Sequence, residues 1–288
     1  MELQFTKMHG LGNDFVLINA MDRPVTLNAE QVRRLADRHF GIGCDQLLVI
    51  EPPQNGEADV RYRIYNADGG EVEHCGNGVR CVARYLRDEG IAGRDDLVVE
   101  TMKGLAHVFI EQSGLVRVNM GAPGLEPAQI PMRAQQRANF YEIEVAGGRV
   151  TIGAASMGNP HAVLEVDSIE TAPVSTLGPM IEHHPDFPEG VNVGFMAIRD
   201  RREIDLRVHE RGSGETLACG SGACAAAVAG ILGDLLDSPV RVNLPGGALT
   251  IDWAGEGEPV FMTGPAVTVF QGRIRYEPKK FRQGLPQG

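Results

Sequence analysis

The segment that decides the fold is residues 70–78, GEVEHCGNG, which recurs as residues 214–222, GETLACGSG. Both copies follow the pattern G-E-x-x-x-C-G-x-G, and their cysteines, Cys75 and Cys219, lie 144 residues apart. One match of this kind could be coincidence. The repeat is therefore significant only if the flanking sequence is duplicated in the same order.

The flanking sequence does contain further matched positions, in the same order and at almost the same spacing. At a spacing of 144 to 146 residues, the pairs are Gly12-Asn13 with Gly158-Asn159, Gln46 with Asn192, and Asn66 with Glu210. At a spacing of 143 residues, Gly104 matches Gly247 and Gly121 matches Gly264. Short changes in loop length explain this drift. The repeat is far too long for a solenoid, so the sequence predicts two copies of one α/β unit.

Each motif is followed by a helical pattern. After the first, Val79, Val82, Ala83 and Leu86 form one apolar stripe that ends at Gly90. After the second, residues 223–232 are apolar on every side and end at Gly233, which predicts a helix buried all round. Strand-like runs then follow each helix, at residues 97–101, 105–110 and 116–120, and at residues 240–244, 249–253 and 260–263.

These elements predict an α+β fold of two similar halves, each a curved mixed or antiparallel sheet wrapped around a central helix. The halves should be related by a pseudo-two-fold axis and face each other across a cleft. We assign residues 1–120 to the first half and 121–264 to the second. A last strand, at about residues 265–276, should return to the first half, and residues 277–288 should form a C-terminal tail.

Bulk properties restrict the class of function. The formal net charge of −11 argues against nucleic-acid binding. The N-terminal residues do not resemble a signal peptide, and no run of about 18 apolar residues predicts a membrane span. Five cysteines, an odd number, favour reduced thiols in a cytoplasmic protein.

The duplicated cysteines suggest an acid/base pair. Each is expected at a helix N-terminus, where unpaired N–H groups lower the pKa of a thiol and bind a carboxylate. Two such helix ends facing each other would place an amino-acid α-carbon between two sulfurs. One thiolate removes the α-proton and the opposite thiol protonates the other face, which inverts the configuration. We expect no cofactor, because neither GxGxxG nor GxxxxGK[ST] occurs.

Polar side chains at the other matched positions could surround a zwitterionic ligand. They are Asn13, Gln46, Asn66, Asn159, Asn192 and Glu210. Arg211 suits a second carboxylate, although a surface ion pair would also explain it. His161 could tune a thiol or be a packed histidine.

The cysteines also allow other interpretations. Cys44, Cys81 and Cys224 are interpreted as small buried hydrophobic residues. The spacings Cys75-x5-Cys81 and Cys219-x4-Cys224 are unusual for zinc ligands, and no CxxC occurs for a redox dithiol. A non-catalytic amino-acid-binding or thiol–metal protein remains an alternative from another class.

From residues 10–15 (GLGNDF) to Gly264-Pro265, the chain resembles the diaminopimelate epimerase family. Residues 65–69 (YNADG) and 74–78 (HCGNG) carry part of the resemblance. Residues 158–161 (GNPH) and 210–224 (ERGSGETLACGSGAC) are its most specific segments.

The resemblance implies interconversion of LL- and meso-2,6-diaminopimelate without pyridoxal phosphate, in lysine and cell-wall precursor biosynthesis. It implies that Cys75 and Cys219 are the acid/base thiols, assisted by His161 and Glu210. Substrate would also contact Asn13, Gln46, Asn66, Asn159, Asn192, Arg211 and the backbone of Gly76-Asn77 and Gly220-Ser221. Family members are commonly homodimers, with an interface tyrosine where this chain has Phe270. A proline racemase-type enzyme is the nearest alternative.

Overall fold

The computed structural model describes residues 2–72 and 76–275, and the same order of elements occurs in it twice. The first set is β1 (Glu2–Gly10), β2 (Asn13–Asn19), α1 (Ala29–Ala36), β3 (Gln46–Glu51), β4 (Val60–Asn66), β5 (Glu71–Val72), α2 (Gly76–Asp88), β6 (Asp96–Thr101), β7 (Gly104–Ile110) and β8 (Val116–Asn119). The second set is β10 (Gly148–Ser156), β11 (Pro160–Glu165), α3 (Val174–Glu182), β12 (Asn192–Asp200), β13 (Glu203–Glu210), β14 (Gly214–Thr216), α4 (Gly220–Leu232), β15 (Val240–Leu244), β16 (Gly247–Trp253) and β17 (Val260–Gly264). One further strand precedes this set, β9 (Tyr141–Val145), and one follows it, β18 (Val267–Arg275).

The strand pairing is also duplicated. β2 runs parallel to β3 and β4 parallel to β6, and the matched pairs β11–β12 and β13–β15 are parallel too. The hairpins β6–β7–β8 and β15–β16–β17 are antiparallel in both halves. The predicted α+β class, with two similar halves of mixed sheet, is therefore confirmed.

The halves are joined by β18, which pairs with the first half, and by the pairing of β8 with β17. β18 lies antiparallel to β1, and β9 lies antiparallel to β10 in the matched position. β8 of one half pairs with β17 of the other, which joins the two sheets. The strand expected to return to the first half thus does so as β18. Its last predicted residue, 276, and the tail at 277–288 lie outside the described residues, and the residue limits of the two halves stay a prediction.

The central helices are buried as their sequences predict. In α4 every residue from Gly222 to Gly230 is buried, because glycine and alanine allow strands to approach from every direction. α2 packs on β1, β7 and β8, and α4 packs on β10, β11 and β16. Both helices begin at the motif glycine, three residues before the apolar periodicity becomes visible in the sequence.

α1 and α3, which cover outer faces of the sheets, were not predicted from the sequence. α1 begins at a capping box in which Asn28 accepts from the Gln31 N–H and the Gln31 side chain accepts from the Asn28 N–H. Val32 and Leu35 on its inner face join a core separate from the one around α2 and α4. Within the described residues, no helix has both the length and the apolar composition needed to cross a bilayer.

Candidate active site

Cys219 is the N-cap of α4. Its Sγ accepts a hydrogen bond from the Gly222 N–H at 3.4 Å, and the residue is only 4% exposed. The expected placement at a helix N-terminus is thus confirmed for this cysteine. Cys75 lies outside the described residues, but the next residue, Gly76, is the first residue of α2.

The first turns of α2 and α4 approach each other over one side chain of β17. A Cβ added to Gly76 would lie 2.9 Å from Met262 Cε, and one added to Gly220 would lie 2.9 Å from Met262 Sδ. Any side chain at either position would displace this methionine. The close approach of the two helix ends therefore accounts for the glycine that follows each motif cysteine.

Asn77 connects the two helix ends through hydrogen bonds. Its buried Nδ2 donates to Asn13 Oδ1 and to the Ala218 carbonyl, both at 3.2 Å, and Ala218 directly precedes Cys219. The matched residue Ser221 lies 3.4 Å from Asn159 Nδ2, which donates to its Oγ. The duplicated asparagines are thus held by duplicated positions on the two helices.

An open cleft of about 1420 Å³ lies in front of both helix ends. It is lined by most of the residues singled out from the sequence, namely Asn13, Gln46, Asn66, Gly76, Asn77, Asn159, Glu210, Arg211, Cys219, Gly220 and Ser221. Gln46 and Asn66 face each other on β3 and β4, and Gln46 Nε2 donates to Asn66 Oδ1 at 2.8 Å.

Asn192 lies behind the cleft wall. Its Nδ2 donates to the Pro160 carbonyl at 2.9 Å, and its Oδ1 accepts from the Arg211 N–H at 3.0 Å. Arg211 itself is exposed, and its Nη1 donates to the Glu189 carbonyl at 2.7 Å. In this conformation Asn192 holds the backbone of Arg211 in place, and its direct contact with substrate stays a prediction.

His161 is also behind the wall, almost completely buried. Its Nε2 lies 3.1 Å from Asn159 Oδ1, and that amide donates to Ser221 through its nitrogen, so the ring acts as the donor. Burial and, to a lesser extent, the positive charge of Arg211 lower the pKa of His161 to about 3. A neutral, packed imidazole that orients Asn159 is the arrangement this geometry supports.

The predicted fall in thiol pKa is wrong for Cys219. Burial raises the pKa of this thiol well above its ordinary value, and the negative charge of Glu210 raises it further. The hydrogen bonds with Ser221 and the Gly222 N–H act in the opposite direction but are outweighed. A helix end typically stabilises a nearby negative charge by about 0.3–1 kcal/mol, whereas moving a thiolate out of water costs more. Burial and Glu210 thus both favour the thiol form of Cys219 over the thiolate.

Glu210 is the acceptor for that thiol. Its carboxyl is hydrogen-bonded to Cys219 and also accepts from Thr216 Oγ1. Burial raises the pKa of Glu210, and these two hydrogen bonds partly offset the rise. A carboxyl group with a raised pKa that contacts a thiol is suited to orient the S–H group within the cleft.

A charged network beside Asn13 was not identified from the sequence. Asn13 Nδ2 donates to Asp45 Oδ2 at 3.1 Å, and Arg38 Nη2 donates at 2.7 Å to carboxylate oxygens of both Asp14 and Asp45. Lys7 also pairs with Asp14. Burial opposes ionisation of Asp14, but hydrogen bonds from Arg38 and Lys7 hold its pKa well below the ordinary range. The sequence offers one signal for this network: Asp14 follows Asn13 and Asp45 precedes Gln46, so both carboxylates are next to matched positions.

The first four residues of β18 include three exposed apolar side chains. Val267, Val269 and Phe270 are all exposed, and the Phe270 ring packs edge-on against Phe5 with centroids 5.9 Å apart. Within residues 2–72 and 76–275, no group of three or more His, Cys, Asp or Glu side chains is arranged to hold a metal ion.

Sequence comparison agrees with this geometry. The family model described as diaminopimelate epimerase matches residues 5–126 and 153–269, one segment in each half. A protein named diaminopimelate epimerase from Alkalilimnicola ehrlichii is 58% identical over 279 residues, covering 96% of this chain and 100% of that protein. Another of that name from Stutzerimonas stutzeri is 56% identical over 275 residues, covering 96% and 100%.

Solved structures share the fold at low sequence identity. A probable proline racemase from Agrobacterium radiobacter K84 superimposes with a TM-score of 0.69 at 17% identity, covering 97% of this chain and 94% of its own. A Bacillus anthracis protein of the PhzF family gives a TM-score of 0.68 at 16% identity, covering 96% and 100%. These likenesses concern the fold alone.

Proposed function

The chain belongs to the diaminopimelate epimerase family, and from this we propose that it interconverts LL- and meso-2,6-diaminopimelate without a cofactor. The observation that supports this proposal most strongly is the position of Cys219, a buried thiol that caps α4 at a cleft where the two duplicated helix ends meet. The match of the family model to both halves supports the same assignment.

In the proposed mechanism, Cys75 and Cys219 act on opposite faces of the α-carbon. Because burial and Glu210 favour the thiol form of Cys219, we assign Cys75 as the base in the first turnover: its thiolate takes the α-proton and leaves the electron pair on carbon. The Cys219 S–H then protonates the other face, so Cys75 ends as a thiol and Cys219 as a thiolate. The reverse reaction exchanges these roles.

The other residues bind the substrate and stabilise charge. The N–H groups at the starts of α2 and α4 receive the reacting carboxylate and stabilise the charge that develops on it. The exposed guanidinium of Arg211 receives the distal carboxylate. Glu210 orients the thiol of Cys219, and His161 orients Asn159. The amides of Asn13, Gln46 and Asn66 contact the substrate from the first half.

The test compares LL-diaminopimelate with L-proline as substrates of the purified chain. We expect epimerisation of diaminopimelate and none of proline, and the opposite result would favour a proline racemase. Cys219→Ala should abolish turnover. The matched control is Cys224→Ala, a buried cysteine one turn further along α4, which should leave turnover within about threefold because it only shortens a core side chain.

We also propose that two copies associate through β18 and that the enzyme works in the cytoplasm, where thiols stay reduced. The support for the dimer is that β18 exposes the apolar side chains of Val267, Val269 and Phe270. Sedimentation should give twice the chain mass of 31.1 kDa. Phe270→Glu should yield a monomer, whereas Phe40→Glu, at an 88% exposed position elsewhere, should not. A monomeric parent protein would refute the dimer.

A further inference from the structure

The duplicated halves touch each other at two matched places beside the cleft. In each, a turn that contains a duplicated glycine meets a hairpin turn of the opposite half. Gly12 and Gly158 both have φ +86°, and the facing Gly247 and Gly104 have φ +135° and +120°. The two contacts are thus equivalent in backbone position, and any difference between them comes from side chains.

The first contact is tight and apolar. Leu11, 6% exposed, packs on the turn at Gly246 and Gly247. A Cβ added to Gly246 would lie 1.9 Å from the Leu11 carbonyl oxygen, and one added to Gly247 would lie 2.7 Å from Leu11 Cδ2. Separating these turns would expose the apolar surface that Leu11 buries.

The second contact is polar and exposed. Lys103 Nζ donates to the Gly158 carbonyl at 3.0 Å, and both residues are exposed. A Cβ added to Gly104 would meet no atom of the described residues within 4 Å, in contrast to its counterpart Gly247. Thr101 Oγ1 accepts from the Lys103 N–H and donates to the Gly104 carbonyl, so the turn that carries the lysine is well ordered.

The two contacts differ in what it takes to break them. A lysine ammonium on a flexible stem exchanges a carbonyl for water at little cost, whereas the Leu11 contact cannot open without exposing buried surface. Gly158 is joined directly to Asn159, which lines the cleft and is held by His161 and Ser221. The hydrogen bond from Lys103 therefore ties the turn that precedes this cleft residue to the opposite half.

We propose that the cleft opens on one side only, with Leu11 against Gly246–Gly247 as the pivot and Lys103–Gly158 as the latch. Lys103 is a positioning residue: it acts through Gly158 on Asn159 and on access to Cys219. The consequence for substrate rests on the proposed function, whereas the consequence for access to Cys219 does not.

Lys103→Met removes the ammonium and keeps most of the stem. We expect alkylation of Cys219 by iodoacetamide, followed by peptide mass mapping, to accelerate about fivefold, the effect of losing about 1 kcal/mol of closure. The KM for diaminopimelate should rise by a similar factor while kcat changes less than about twofold. Lys103→Arg should restore most of the parent behaviour because it keeps a donor in reach.

Met102→Ala is the matched control, since Met102 is an exposed residue of the same turn. The latch is refuted if Lys103→Met leaves both the labelling rate and KM within about twofold of the parent, or if Met102→Ala produces the same acceleration. Labelling is read without substrate, so a chain that failed to turn over diaminopimelate would still test the latch.

Discussion

At the scale of single residues, the site depends on competition between a helix end and burial. The Gly222 N–H and the Ser221 hydroxyl favour the Cys219 thiolate, but burial and the neighbouring Glu210 disfavour it more strongly. A sequence shows that a cysteine caps a helix, but it does not show how much water reaches the sulfur. The direction of this pKa shift could therefore not be predicted without the structure.

This raised pKa leads to a prediction about labelling. In the folded protein the thiol persists at pH values where an unfolded cysteine has already ionised. Alkylation of Cys219 in the free enzyme should thus keep rising between pH 7 and about pH 10, with no plateau near pH 9. Protein denatured in urea is the control and should level off near the ordinary thiol pKa. A plateau below pH 8 in the folded protein would show that the helix end outweighs burial.

From the sequence, residues that lie at the cleft could be selected, but the contacts they make could not. The duplicated pattern identified Asn13, Asn159 and Glu210, all of which line the cleft. It did not show that Asn77 bonds across the two halves or that Asp45 holds Asn13, because those contacts join positions far apart in the chain. The contacts of Cys75 and its assignment as a base remain predictions.

At the scale of elements, α3 fixes the turn that carries Glu210 and Arg211. Glu182, near the end of this helix, is buried and lies 2.7 Å from His209 Nε2, and its other carboxylate oxygen accepts from the Gly212 N–H at 2.8 Å. The helix is short and contains Pro179, so periodicity did not reveal it. Its function here is to hold a turn at the cleft wall.

Removing this carboxylate should therefore affect both stability and binding. Glu182→Ala leaves the buried ring of His209 and the exposed Gly212 N–H without their acceptor and should lower the free energy of unfolding by about 1–3 kcal/mol, as measured by urea denaturation. It should also raise KM because the turn at Arg211 loses its support. Glu189→Ala, an exposed glutamate in the following loop, should change stability by less than about 0.5 kcal/mol. Equal effects of the two substitutions would contradict this role for α3.

The contact between Leu11 and the turn at Gly246–Gly247 gives a second prediction at this scale. Gly246→Ala places a methyl group against the Leu11 carbonyl, a backbone atom that cannot move without shifting the β1–β2 turn. We expect a loss of at least about 2 kcal/mol in the free energy of unfolding. Gly56→Ala is the control, because a Cβ there would meet no described atom within 4 Å, and it should change stability by less than about 0.5 kcal/mol. A stable Gly246→Ala protein would mean that this contact is not tight.

At the scale of the whole molecule, duplication explains why so much of the fold was predictable. Matching 144-residue spacing identified two units, and the apolar patterns located α2, α4 and the hairpin strands to within a few residues. The pairing of β8 with β17 joins the sheets, and no local sequence pattern reveals it because the two strands lie far apart in the chain. The same is true of the difference between the Leu11 and Lys103 contacts, since their sequence positions are equivalent.

The proposal that two thiols act on opposite faces of the α-carbon is tested by incorporation of deuterium from solvent. The chain is incubated with LL-diaminopimelate in deuterated water, and product and recovered substrate are analysed at low conversion. We predict meso product with deuterium at the inverted carbon and recovered LL substrate that is still unlabelled, because the group that removes the proton is not the group that returns one. Deuterium appearing in the recovered LL substrate as fast as in the product would contradict two opposed thiols and favour a single base serving both faces.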